Sequence, residues 1–148
     1  MLFEKHISIV VVVVAFLIAA ALTWPVVLSP QDLLVGHPGN DTWNHVWGYW
    51  WVQEEILSGR WPTQADGLAF PRGGTLYFID TIQVLLSLPI SLFFGPATAF
   101  NGIVILEIML AGVGAWLLAH KVTSDIWASF AALFLYEMSA HLMGQTYN

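Results

Sequence analysis

The sequence predicts an all-α integral membrane fold, with about three transmembrane helices and one or two interfacial helices in the first outer loop. Three observations predict it. Of the 148 residues, 57% are hydrophobic and only 9% are charged, and the mean hydropathy is +0.71. Soluble domains carry roughly 25% charged residues, so this chain has too few polar groups to cover its own surface. Lipid must be its main solvent. Long apolar stretches also recur, at 7–28, 101–119 and 126–143. Finally, five of the eight tryptophans fall between Trp43 and Trp61, and tryptophan favours the boundary between hydrocarbon and water.

The first element opens with a short polar start that contains Lys5. Residues 7–28 follow without a charge. As a helix they extend ~30 Å, one hydrocarbon core. Trp24-Pro25 marks the far end. A cleaved signal peptide is the competing reading, with Ala19 to Ala21 as its cleavage site. Signal cores run about 7–15 residues, and this run is longer and has no polar segment before the cleavage site, which favours an anchor. With Lys5 inside, the next loop lies outside.

Residues 29–74 form the polar region, punctuated by Pro30, Pro38, Pro62 and Pro71 and by glycines. Within it, spacing predicts a helix over 42–57. Trp43, Val46, Trp47, Trp50 and Leu57 fall on one side, at spacings of three and four. Asp41 and His45 are four apart and lie together, away from that stripe. Asn40, Asp41 or Thr42 suits the N-cap, and Gly59 suits the C-cap region. The pattern implies a helix lying flat on a membrane surface, holding a carboxylate and an imidazole above the lipid.

Residues 76–94 are apolar but interrupted by Asp80, Gln83 and Pro89. A second surface helix is preferred to a span, because Lys121 then shares the inner side with Lys5. Residues 101–119 form a span ending at His120-Lys121, and 126–143 form another after a short polar turn. Ala111 and Ala115, and Ala128 and Ala132, have the small-residue spacing that lets membrane helices approach closely. Glu107 and Glu137 fall within the spans, where charge is costly and often functional.

Charge and cysteine usage narrow the function. Ten acids against four bases give a net charge of −6, which argues against nucleic acid as a partner. With no cysteine, disulfides, thiolate metal sites and cysteine nucleophiles are excluded. Asp41, His45, Asp80 and His141 are the residues through which a divalent metal could act as cofactor, but no fixed ligand spacing calls for one.

The order of features resembles the amino-terminal part of integral-membrane glycosyltransferases of the GT-C fold. That group includes protein mannosyltransferases and aminoarabinose transferases. The resemblance is carried by Asp41 in Gly39-Asn-Asp-Thr-Trp-Asn-His45, by Leu57-Ser-Gly-Arg-Trp-Pro62 and by Pro71-Arg-Gly-Gly-Thr-Leu-Tyr77. Phe94-Gly-Pro-Ala-Thr-Ala-Phe-Asn101 and Ala115-Trp-Leu-Leu-Ala-His-Lys121 also fit. Family members commonly follow the acid with Glu and, two residues later, Tyr. Here Thr42 and Trp43 follow Asp41, with His45 beyond, which suggests a divergent branch and leaves the acceptor open.

The resemblance implies a single membrane module over 1–148 that forms the amino-terminal part of a larger enzyme in the plasma (inner) membrane. Its active face is extracytoplasmic, and its sugar donor is a polyprenyl phosphate. Further transmembrane helices, of the same enzyme or of a partner subunit, and membrane lipid are the other expected partners. Inverting transfer needs a base to take the acceptor's proton, and Asp41 is the candidate, with His45 beside it or on phosphate. A helix cap is the compatible structural role of Asp41. Arg60 and Arg72, the bases of the outer loop, suit a phosphate or a lipid headgroup alike. Asp80 is a further candidate substrate contact. Trp43 and its stripe serve as a membrane anchor or as a sugar-stacking platform. Two other classes fit the composition: a small membrane subunit or assembly factor acting by helix packing, and a transporter fragment with Asp80, Glu107 and Glu137 along an ion path.

Overall fold

A computed structural model describes residues 2–37, 39, 41–69, 71–75 and 81–147, with side chains from Ile7 onward. The described residues are mainly helical. The helices are α1 (Leu2–Leu22), α2 (Thr42–Leu57), α3 (Thr81–Phe94), α4 (Pro96–Thr123), α5 (Ile126–Glu137) and α6 (Ala140–Tyr147). A single 3-10 turn follows α1 at Val26–Leu28, and two short strands, β1 (Gln64–Ala65) and β2 (Gly74–Thr75), pair antiparallel. The segments Pro96–Thr123 and Ile126–Tyr147 are long and apolar enough to cross a membrane, while Ile7–Leu22 and Thr81–Phe94 are shorter apolar helices.

Three expected boundaries change. The run over 7–28 is helical only to Leu22. Pro25 has no N–H to donate and disfavours helix at the residue before it, and the Thr23 hydroxyl bonds back to Ala19 O at 2.8 Å. The span expected over 101–119 becomes a helix of 28 residues from Pro96. Pro96 occupies the first helical position, where a missing N–H costs nothing. The span expected over 126–143 breaks after Glu137 and resumes at Ala140. The Ser139 hydroxyl accepts from Leu142 N at 3.3 Å, the pattern of a new helix start. Of the segment expected over 76–94, residues 81–94 form a helix, α3, packed on α2; residues 76–80 lie outside the described residues.

The chain divides into two compact units, one of Met1–Leu28 with Val104–Asn148 and one of Ser29–Ile103. In the first, Val11 and Ala15 of α1, Trp116 of α4 and Leu133 of α5 form the core, with Ile7, Val14, Ile18, Met109, Val113 and Phe130 around it. A tight contact between α4 and α5 is made at Gly112, while the expected Ala115 and Ala132 are half-buried. Ala128 is exposed and Ala111 is half-buried. The Glu137 side chain instead lies on Gly112, where a Cβ would come 1.8 Å from Oε1. Glu137 is fully buried, and its two carboxyl oxygens have no hydrogen-bond partner. Only glycine leaves room for it there.

In the second unit, Tyr49 and Val52 of α2, Ala65 of β1, Val84 of α3, and Ala99 and Ile103 of α4 make the core. Each large apolar side chain buried this way contributes about 1.5–3 kcal/mol. The unit's loop is tied down by Asn101. Its Oδ1 accepts from Val35 N at 2.9 Å, and its Nδ2 donates to Pro30 O at 2.8 Å and Leu33 O at 2.7 Å. Asn101 has no exposed surface. Asn101→Leu strands these groups, of which Val35 N–H is in a buried bond, at roughly 1–3 kcal/mol for a buried one, so unfolding of this unit should become easier by at least about 1 kcal/mol. Asn101→Asp should do no better, because a carboxylate cannot donate to the two carbonyls. An unchanged denaturation midpoint by circular dichroism in either variant would remove Asn101 as the clamp.

Candidate functional site

The helix expected over 42–57 is α2, with those boundaries. Its inward face differs from the simple stripe. Thr42, Gly48, Tyr49, Val52 and Glu55 are buried, and Trp43, Trp50 and Leu57 are exposed. Trp43, Trp50 and Leu57 are seven residues apart and form one line along the helix. Trp47 does not belong to the exposed line, because it packs against the core and stacks on Trp51 with ring centroids 6.0 Å apart and planes 7° from parallel.

Asp41 stands at the N-cap position of α2, but its side chain makes no cap hydrogen bond. Its backbone is already helical, with φ −71° and ψ 0°. A capping side chain requires an extended backbone at that residue, which is why the expected cap does not form. Asp125, with φ −108° and ψ 126°, does cap α5 through Ala128 N at 2.7 Å. The Asp41 carboxylate is exposed and accepts from Asn44 Nδ2 at 3.1 Å through Oδ1.

The other expected residues fall as follows. The His45 ring is half-buried and stacks on Phe100, centroids 6.2 Å apart and planes 22° from parallel. Trp43 is exposed and lines a cavity of about 190 Å³ with Asp32, Leu34, His37 and Thr42. Arg60 lies against Glu55 rather than open to an anion. Arg60 Nε donates to Oε2 at 2.9 Å and Nη2 to Oε1 at 2.5 Å. The pair raises Arg60 and holds the Glu55 carboxyl below its usual value, chiefly through those hydrogen bonds. Arg72 is exposed in the turn before β2. Asp80 lies outside the described residues. Among the described residues, no three His, Asp or Glu side chains converge as metal ligands.

His37, Gly36 and Glu55 escaped the sequence argument. His37 Nδ1 accepts from Gly39 N at 3.1 Å, so a neutral His37 carries its proton on Nε2. Gly36 has φ +127°, and a Cβ there would lie 2.1 Å from Thr42 Oγ1. The loop therefore closes on the start of α2 only with glycine. The short spacing from Gly36 and His37 to Thr42 was a readable signal for this closure. Nothing in the spacing of Glu55 and Arg60, five apart across a helix end, marks them as a pair.

No protein-family model, curated protein or solved structure matches this chain.

Because the carboxyl of Glu55 is lowered when folded, its contribution is present above the usual glutamate range and lost as pH falls through the lowered value. With only Arg60 and Arg72 to label, the Arg60 Nε–H signal in a ¹⁵N-arginine spectrum should stay at its paired position from pH 7 through about pH 4.3, the ordinary glutamate value. It should move only below that. In Glu55→Gln it should take the unpaired position at every pH. A wild-type shift completed above the ordinary glutamate range would show that the pair does not hold.

Proposed function

We propose that this chain forms part of an integral-membrane glycosyltransferase that moves a sugar from a polyprenyl-phosphate donor to an acceptor at the outer face of the plasma membrane. The observation that carries the proposal is the Asp41 carboxylate. It is exposed at the start of α2 and free of the capping role its position suggests. Such a carboxylate suits a general base. It takes the proton of an acceptor hydroxyl as that oxygen attacks the anomeric carbon, and the polyprenyl phosphate departs with the bonding electrons. His37 and Trp43 line the adjoining cavity and suit contact with the donor's phosphate and sugar. Arg60, already paired with Glu55, is the weaker phosphate contact, and Arg72 is the better one.

Asp41→Asn tests the base. Asparagine keeps an oxygen for Asn44 Nδ2, and no cap bond is lost, so folding should be unchanged. Sugar transfer by the natural full-length protein should fall roughly 10²–10⁴-fold, the usual worth of a positioned base. Wild-type turnover at matched folded concentration would remove Asp41 from the mechanism.

In this proposal α1, α4 and the α5–α6 segment cross the membrane, with the region between α1 and α4 outside and Lys5 and Lys121 inside. Helix α4 has 28 residues and so a length of ~42 Å at 1.5 Å per residue, enough to cross the hydrocarbon core. Thr98 and Thr123 lie near its opposite ends. The chain has no cysteine, so single cysteines can be read without background. An impermeant maleimide added outside should label Thr98→Cys and spare Thr123→Cys. The reverse pattern overturns the topology.

A further inference from the structure

A second cavity lies where α2 ends. It measures about 370 Å³ and is lined by Trp51, Arg60, Trp61, Thr63, Gln64 and Asp66, with Glu55 behind. That volume lies in the lower part of the range of small-ligand sites, about 300–1,000 Å³. The chain reaches it through the turn after α2, where Arg60 N bonds Glu55 O at 2.9 Å and Thr63 N bonds Trp61 O at 2.8 Å. Gln64 of β1 contributes to another wall. Here Gln64 and Asp66 converge, since a Cβ on Gly73 would meet Gln64 Nε2 at 3.1 Å and Asp66 Oδ1 at 3.5 Å.

The chemistry of the lining selects a ligand. Trp61 is 66% exposed, an indole face open to a flat partner. Trp51 is fixed by its stack on Trp47, and its Nε1–H is buried with no acceptor. A hydroxyl, an amide, a carboxylate and a guanidinium already oriented by Glu55 complete the set. The formal charge of Glu55, Arg60 and Asp66 sums to −1, so an anion is repelled. A cation would meet Asp66 but find Arg60 beside it, and Asp66 contributes to the raised pKa of Arg60. What fits is a neutral ring with hydroxyls at its edge and C–H bonds on its face. The hydroxyls pair with Thr63, Gln64 and Asp66, and the C–H face lies on the negative face of the indole.

We propose that this cavity is a saccharide subsite that takes a neutral, hydroxylated ring, with Trp61 as platform and Asp66 as hydroxyl acceptor. It extends the glycosyltransferase proposal by giving a sugar-bearing acceptor, rather than the phosphate-bearing donor, a place on the protein. Binding here requires no transfer, so the two proposals fail separately.

The experiment is ¹⁹F NMR on 5-fluorotryptophan-labelled protein in a sugar-free detergent, titrated with a panel of neutral disaccharides and with glucose 6-phosphate. Trp61→Phe assigns the Trp61 signal among the eight. Saturable shifts of the Trp61 signal with at least one neutral disaccharide are expected, and binding at least tenfold weaker for the sugar phosphate. Trp61→Ala, a change at an exposed side chain that leaves the core intact, should weaken neutral binding at least tenfold, read from ligand-side saturation transfer. Asp66→Asn should narrow the gap between neutral and phosphorylated sugar. Asp41→Asn should leave all of these values unchanged. Absence of saturable binding by every neutral disaccharide overturns the subsite, as does tighter binding of the sugar phosphate. Neutral binding that survives Trp61→Ala overturns it too. If saccharide binding fails while Asp41→Asn still abolishes transfer, the subsite falls and the glycosyltransferase proposal stands.

Discussion

The second unit depends on one buried amide. Asn101, near the start of α4, makes three hydrogen bonds to the backbone of residues 30–35, some seventy residues earlier in the chain. A loop of that kind carries N–H and C=O groups that must be paired once they are buried. Asparagine supplies both a donor and an acceptor in one planar group, which no apolar residue does. With the loop held there, Gly36 is brought against Thr42, and α2 starts where it does. The position of Asp41, one residue before α2, follows from that closure.

The far end of α2 is governed by charge. Glu55 is buried on the helix face while Arg60 is exposed, and the bidentate pair turns the chain back at the helix end. A buried carboxylate with no partner would be strongly unfavourable, so the turn after α2 and the ion pair support each other. The same pairing withdraws Arg60 from the role of free phosphate ligand. It leaves the neighbouring cavity with a formal charge of −1 from Glu55, Arg60 and Asp66. An arginine in an outer loop is thus informative about ligand charge only once its own carboxylate is known.

Helices were legible in the sequence because apolar periodicity and length are local properties. Helix α2 matches its expected span at both ends, and α3 was expected as a helix short of a crossing. The ends of the apolar helices were less legible. Pro25 stopped α1 earlier than the uncharged run did, Pro96 started α4 earlier than hydropathy suggested, and Ser139 opened a new helix inside an apolar stretch. Each is a hydrogen-bond effect that hydropathy does not register. The site was half legible. Asp41 and Trp43 were visible as a polar–aromatic start to a helix, but the loss of the cap depends on a backbone angle at Asp41 that no residue pattern encodes. Asn101 and Glu55 were invisible because their partners lie in other segments or across a helix end.

Helix α2 has faces with different tasks. Its inner face, through Tyr49 and Val52, belongs to the core. Its outer line of Trp43, Trp50 and Leu57 is large and apolar yet exposed, a combination that is stable at a lipid boundary and unfavourable in water. Its two ends are polar: an uncapped carboxylate at the start and a paired acid and base at the finish. In the proposed membrane placement, a helix held at the surface by this tryptophan line would keep both ends level with lipid headgroups and within reach of water. The polyprenyl-phosphate donor of the proposed reaction would have its reacting carbon at that depth, because its chain is buried and its phosphate is not. One rigid helix of 16 residues, ~24 Å long, separates the Asp41 carboxylate from the cavity beside Arg60, so in the proposed reaction a saccharide held in that cavity meets the base only as part of an acceptor long enough to extend along the helix.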